Sequence, residues 1–223
     1  MKCAYFSEDL GVYGNLTKMY EKGYSPLFMP EIVNLKLNET DESKYRTSDK
    51  SLLSASIVAA MKKKGKAVVI TCHKYHPLLN PQFLNDNVLS KLSKFDEFIQ
   101  SKQFFNELEE KVDGIEIHRI EGKPEKFYGS GDSLKNWINF PLSPIMFGQN
   151  FENYLTQEFN KIQLKYGKLK YFNISGINVF EENECAVFFM GFHSTNSIKT
   201  LRDLAFTNGS YDWDGSFIGK KFI

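Results

Sequence analysis

The sequence has little cysteine, and what it has is not paired. Cys3, Cys72 and Cys185 are odd in number and far apart, and no CxxC spacing occurs. That excludes a zinc ribbon and a thioredoxin motif, and it fits reduced thiols inside a cell. Net charge is also scarce, at +1. Proteins held to nucleic acid through phosphates carry a basic excess or stripe, so no nucleic-acid partner is expected. The one dense basic run, Lys62, Lys63, Lys64 and Lys66, reads as the end of a helix, where cations meet the helix dipole favourably. Long apolar runs are missing. No stretch approaches the roughly 18 apolar residues that a membrane span needs. The apolar run after Met1 gives way at once to Ser7, Glu8 and Asp9, too short for a secretory signal. The expected location is the cytoplasm, of its own cell or of a host. GxSxG, HExxH, GxGxxG and GxxxxGK[ST] are absent too. Standard α/β-hydrolases, zincins and the common nucleotide loops are thereby set aside. No pattern names a cofactor or a metal.

Aromatics, by contrast, are plentiful, with 20 Phe and 11 Tyr among 223 residues. Such a chain can bury a core, and its length suits one domain over 1–223. Apolar spacing predicts a strand over residues 2–7 and a short helix through Leu16, Met19 and Tyr20 that closes at Gly23. A second strand is expected over 32–37, then a polar loop over 39–50. Leu52, Leu53, Ser56, Ile57, Ala60 and Met61 recur at helical spacing and predict an amphipathic helix stopped by Gly65. Ala67 to Ile70 reads as a buried strand. A helix, a glycine and a buried strand in that order are the half-unit of a parallel sheet.

Further on, the pattern predicts a helix over 83–111, a strand around Ile115, Ile117 and Ile120, a turn-rich stretch over 122–150, and a helix over 150–166. Two strands, 169–180 and 185–192, flank the polar turn 181–184 and predict an antiparallel hairpin. A short helix is expected over 196–206, with a Gly- and Asp-rich tail after it. The expected class is α/β: a single domain with a mixed, mostly parallel sheet flanked by helices, and a C-terminal antiparallel hairpin. The alternative is α+β.

The chemistry-bearing cluster is Thr71-Cys72-His73-Lys74-Tyr75-His76, directly after the buried strand. In open α/β sheets ligands bind outside the carboxyl ends of strands. There His73 would act as acid/base, Cys72 as nucleophile, and Lys74 and His76 as ligand contacts. If the strands at 2–7, 67–71 and 185–192 point the same way, Asp9 and His193 join that edge as orienting carboxylate and second imidazole. Gly129, Ser130 and Gly131 form a glycine turn able to present N–H groups to an anion. Asp212-Trp213-Asp214-Gly215-Ser216 reads as a polar turn, because the further oxygen ligands of a calcium loop are missing.

These residues predict an enzyme, a hydrolase or transferase, acting on a small anionic metabolite or nucleotide. The alternative is a non-enzymatic binding module of the phage or effector type. It would hold a host protein through exposed aromatics in 122–150: Phe127, Tyr128, Trp137, Phe140 and Phe147. The partner is a small anionic ligand in the first case and a protein in the second.

Overall fold

The computed structural model describes residues 2–6, 11–38, 52–81, 99–129, 133–166, 172–173, 181–192 and 217–222. Its spine is β3 (Leu52–Lys63), a long strand turned back on itself by Lys64 and Gly65 into β4 (Lys66–Cys72). Both turn residues sit in the left-handed region, with φ of 52° and 73°, as two-residue hairpin turns require. Their two N–H groups donate to the carboxylate of Glu182. The basic run at 62–66 therefore belongs to a hairpin tip and not to a helix end.

One edge of β3 pairs antiparallel with β8 (Cys185–Phe192), from Leu52 opposite Phe192 to Met61 opposite Cys185. The other edge pairs antiparallel with β4. Nearer the start of β3, Leu53 meets Phe217 of β9 (Phe217–Lys221) in parallel. β5 (Ile117–Gly122) lies antiparallel outside β4. β1 (Lys2–Phe6) and the short β2 (Ser25–Pro26) both run antiparallel to β9. Gly219 of β9 fills a place where a Cβ would stand 2.9 Å from Tyr24 and 3.0 Å from the Phe6 ring. A separate ladder joins β6 (Tyr128–Gly129) to β7 (Phe172–Asn173).

Helices cover both faces. On one face lie α1 (Gly11–Glu21) and α3 (Ile99–Glu110). Leu16, Met19, Phe105 and Leu108 pack there on Ile57, Ala59, Val68 and Ile70. The other face carries α2 (Met29–Leu37), α4 (Leu134–Ile138), α5 (Ser143–Phe147) and α6 (Phe151–Tyr166). Ile32, Val33, Trp137, Met146 and Leu155 pack there on Val58, Ala60 and Val69. Odd and even residues of each central strand feed different clusters, as the twofold side-chain period dictates.

Several expectations are corrected. Residues 52–61 are a strand, not a helix: both faces of β3 are buried, so no wet face marks a period of two. Residues 32–37 belong to α2. Its start is set by Pro30 in the first turn and by the Glu31 carboxylate, which accepts the Phe28 N–H at 2.9 Å. The mixed sheet is largely antiparallel, with the β3–β9 contact its parallel pairing among the described residues, so the α+β alternative describes it better. β8 pairs with β3, and Phe172–Asn173 pairs with β6; the rest of the first strand of the expected hairpin, 169–171 and 174–180, lies outside the described residues. The tail contains β9. The expected loop at 39–50, residues 83–98 of the long helix, and the helix at 196–206 lie outside the described residues.

Candidate functional site

The site begins at a fault in the spine. The pairing of β3 with β8 shifts register between Leu53 and Ile57. Residues 54–56 leave the regular ladder, and their buried polar groups must find other partners. The Ala55 N–H donates to the Leu27 carbonyl at 2.7 Å. The Ser56 N–H donates to Ser54 Oγ at 3.1 Å, and Ser54 Oγ–H donates to the Met190 carbonyl at 3.0 Å. Ser56 Oγ accepts the Met29 N–H from the start of α2 at 2.8 Å.

Two histidines complete the repair. Both come from the segment that follows β4. His76 Nε2–H donates to the Ala55 carbonyl at 2.8 Å, its ring lying against Phe104 and Phe189. His73 Nε2–H donates to the Ile145 carbonyl of α5. A carbonyl only accepts, so that contact fixes the tautomer and leaves Nδ1 bare to accept the Ser56 O–H at 2.7 Å. Burial, the larger cause in each case, lowers the pKa of both rings to about 4. For His73 the neighbouring His118 ring lowers it further, while the bond to Ile145 opposes the shift.

Cys72 and His73 are consecutive, so the sheet separates them. Cys72 packs with Ile70 and Phe105 beneath α3, whereas His73 reaches α2 and α5 on the other side. The Cys72 Sγ contacts the Lys74 carbonyl at 3.5 Å. Burial raises its thiol pKa, opposite to the shift that activates a nucleophile. Lys74 lies outside, its ammonium 2.7 Å from Asp113 and 3.9 Å from Glu116. Gly129 takes part in the β6–β7 ladder. Asp9, Ser130, Gly131 and His193 lie outside the described residues. β1, β4 and β8 do run in one direction, since each is antiparallel to β3 or to its parallel neighbour β9.

A groove of about 1020 Å³ opens beside His73. One wall is the start of α2, with Phe28, Pro30 and Asn34; another is α5, with Ile145 and Phe147. A third is the turn before β5, held by Asp113. Its Oδ1 accepts the N–H groups of Ile115, Glu116 and Ile117, each at 2.8 Å. Those bonds and Lys74 hold the Asp113 carboxyl well below the usual range. The His73 N–H donates to the Glu116 carbonyl at 2.8 Å, tying this turn to β4. On the rim stand Ile115, 80% exposed, and Tyr75, 67% exposed. Lys220 of β9 also lines the groove. It pairs with Glu31 and sits 5.7 Å over the ring of Phe222, itself 77% exposed.

The described aromatics expected to grip a partner are not exposed, although Phe147 backs one wall of the groove. Phe127, Trp137, Phe140 and Phe147 are buried in the core under α2 and α6; the Tyr128 side chain lies outside the described residues. Sequence reading places Ile115 in a strand with Ile117 and Ile120 and gives Tyr75 no role, so neither stands out as a surface anchor; the strand begins only at Ile117. Among the described residues, no group of three His, Cys, Asp or Glu side chains is placed to hold a metal. No helix there is long and apolar enough to cross a membrane.

No protein-family model matches this chain, and neither does any curated protein. Among solved structures, one described as accommodation of massive sequence variation in Nanoarchaeota by the C-type lectin fold is similar. The TM-score is 0.60 at 17% identity, over 86% of this chain and 87% of that one. The likeness is one of fold. It overturns the expected hydrolase or transferase acting on a small anionic metabolite or nucleotide. The rule that placed a pocket at the carboxyl edge belongs to parallel, doubly wound sheets, and this sheet is neither.

Proposed function

We propose that the chain is a non-enzymatic binding module that holds a protein partner at the groove between α2, α5 and the turn before β5. The observation that carries this reading is the pairing of a fixed groove with exposed apolar anchors. Its walls are tied by bonds from His73, Ser56 and Asp113, while Ile115 and Tyr75 stand in solvent on its rim. Anchors on a pre-ordered frame bind tightly because little freedom is lost on association. The fold likeness supports it as well. A fold that accommodates massive sequence variation keeps its frame while surface residues change, which suits recognition by loops.

Selection from a displayed random-peptide library tests this. Enriched peptides should bind the native protein, lose at least tenfold in affinity to an Ile115→Asp variant, and keep their affinity for Lys66→Ala at the far hairpin. A library that yields no binder, or binders indifferent to Ile115→Asp, overturns the reading.

A further inference from the structure

We propose that His73 is a positioning residue that holds two walls of the groove together while neutral and releases them when protonated. The proposal rests on the groove being the binding site, but the release itself needs no partner. His73 bonds directly to one wall and, through Ser56, to the other. Through Nε2–H it holds the Ile145 carbonyl of α5. Through Nδ1 and Ser56 Oγ it holds the Met29 N–H at the start of α2. Ile145, Phe28 and Pro30 line the groove at these two points.

The relay works for one protonation state. Neutral Nδ1 accepts the Ser56 hydroxyl proton, so the Ser56 oxygen keeps its lone pairs for Met29. A proton arriving at Nδ1 turns that atom into a donor. It then points at the same oxygen as the Met29 N–H, and the hydroxyl proton must leave for another acceptor. Two donors and a buried positive charge now meet where one donor was accommodated. The groups facing the ring offer little compensation. The His118 ring of β5 stands 6.1 Å away, centroid to centroid. Lys74 follows His73 in the chain. Of the carboxylates lining the groove, Glu31 is engaged by Lys220 and the Phe28 N–H, and Glu116 lies 3.9 Å from Lys74. The new donor competes with the Met29 N–H for Ser56 Oγ, so the start of α2 is the point at which the wall loosens from β3.

The experiment is amide hydrogen exchange on the full chain between pH 7.5 and 3.5, corrected for intrinsic rates, together with a histidine-ring NMR titration. The ring of His73 should titrate below pH 6.5. Protection of the Met29 amide should fall between pH 6.5 and the ring midpoint, on the order of tenfold per pH unit, and should stay at least tenfold below that of the β3 and β4 amides of Val58 and Val69 across that span. A His73→Gln variant, which carries no titrating group, should lose the step. The proposal is overturned if Met29 protection stays level from pH 6.5 down to the His73 midpoint. It is also overturned if Met29 is as well protected as Val58 and Val69 throughout, so that it exchanges by global unfolding alone, or if the step persists in His73→Gln. Should that variant not fold, the wild-type ring titration and the Met29 profile decide, by the fall in protection ending at the ring midpoint or not. None of these readouts involves a bound protein, so a failed peptide selection and a failed release are separate results.

Discussion

His76 donates its Nε2–H to the carbonyl of Ala55 across 2.8 Å, and His73, three residues earlier, bonds to the neighbouring Ser56 from the opposite face. The two imidazoles clasp the irregular part of β3 between them. Neither has an exposed ring: His76 is 2% accessible and His73 9%.

Acid should therefore loosen the fold. Both rings have native pKa values of about 4 against an ordinary 6.5. Below pH 6.5 the unfolded chain binds protons that the native state refuses. Stability is full above pH 6.5, declines as the pH drops, and loses nothing more from these rings below about 4. A shift of this size corresponds to about 3 kcal/mol for each ring. Urea unfolding at pH 7.5 and 4.5 should show a markedly lower midpoint in acid. His76→Gln should be less stable at pH 7.5 and flatter in pH; equal midpoints for the wild type at both pH values would contradict this account.

Cys72 and Cys185 should resist thiol reagents in the native state. Both are buried, and burial raises each thiol, that of Cys185 to about 12. A chromogenic disulfide reagent at pH 8 should label them only after denaturant is added. Rapid native labelling at Cys72 would show a reactive thiol after all.

Asp113→Ala should free the turn that presents Ile115. Three amide donors lose their common acceptor and Lys74 loses its nearer partner. The amides of Ile115, Glu116 and Ile117 should exchange faster and any groove ligand should bind more weakly, with the sheet amides unchanged. Unchanged exchange at Ile115 would show that the turn is held by other means.

Core and rim apolar residues should separate cleanly. Trp137→Ala should cost about 3–5 kcal/mol, because it opens a hole between α4, α6 and the sheet. Ile115→Asp should change stability by no more than about 0.5 kcal/mol. Chemical unfolding of both variants measures this. A large loss in Ile115→Asp would mark that side chain as structural.

Part of the fold was legible in the sequence because its signals are local. Gly23, at φ 71°, ends α1 as its position suggests, and the β-branched run at 67–70 is a strand. The apolar spacing of 151–166 is a helix. What was not legible depended on context. In Leu52–Lys63 both faces are apolar, so a strand and a buried helix give similar patterns. Ile32 to Leu37 alternates like a strand although Pro30 and Glu31 signal a helix start. The pairing of β3 with β8 joins residues that no short window sees together. The cluster after β4 stands out in the sequence, and His73 borders the groove. Its chemistry was misjudged because adjacent residues of an extended chain face opposite ways. That sends Cys72 into one core and His73 into the other.

The pairing of β1 with β9 sets an order in time. Lys2 finds its partner at Lys221 and Phe6 at Phe217, among the most distant contacts the chain can make. Contacts of that span form slowly, since so much intervening chain must first be brought together. During synthesis the strand at 2–6 waits, and β2 with it, until residues 217–221 have left the ribosome. The β3–β4 hairpin, closed by Lys64 and Gly65, can form long before. Assembly of this molecule should thus proceed from its middle outward, with the seam between β1 and β9 closing last.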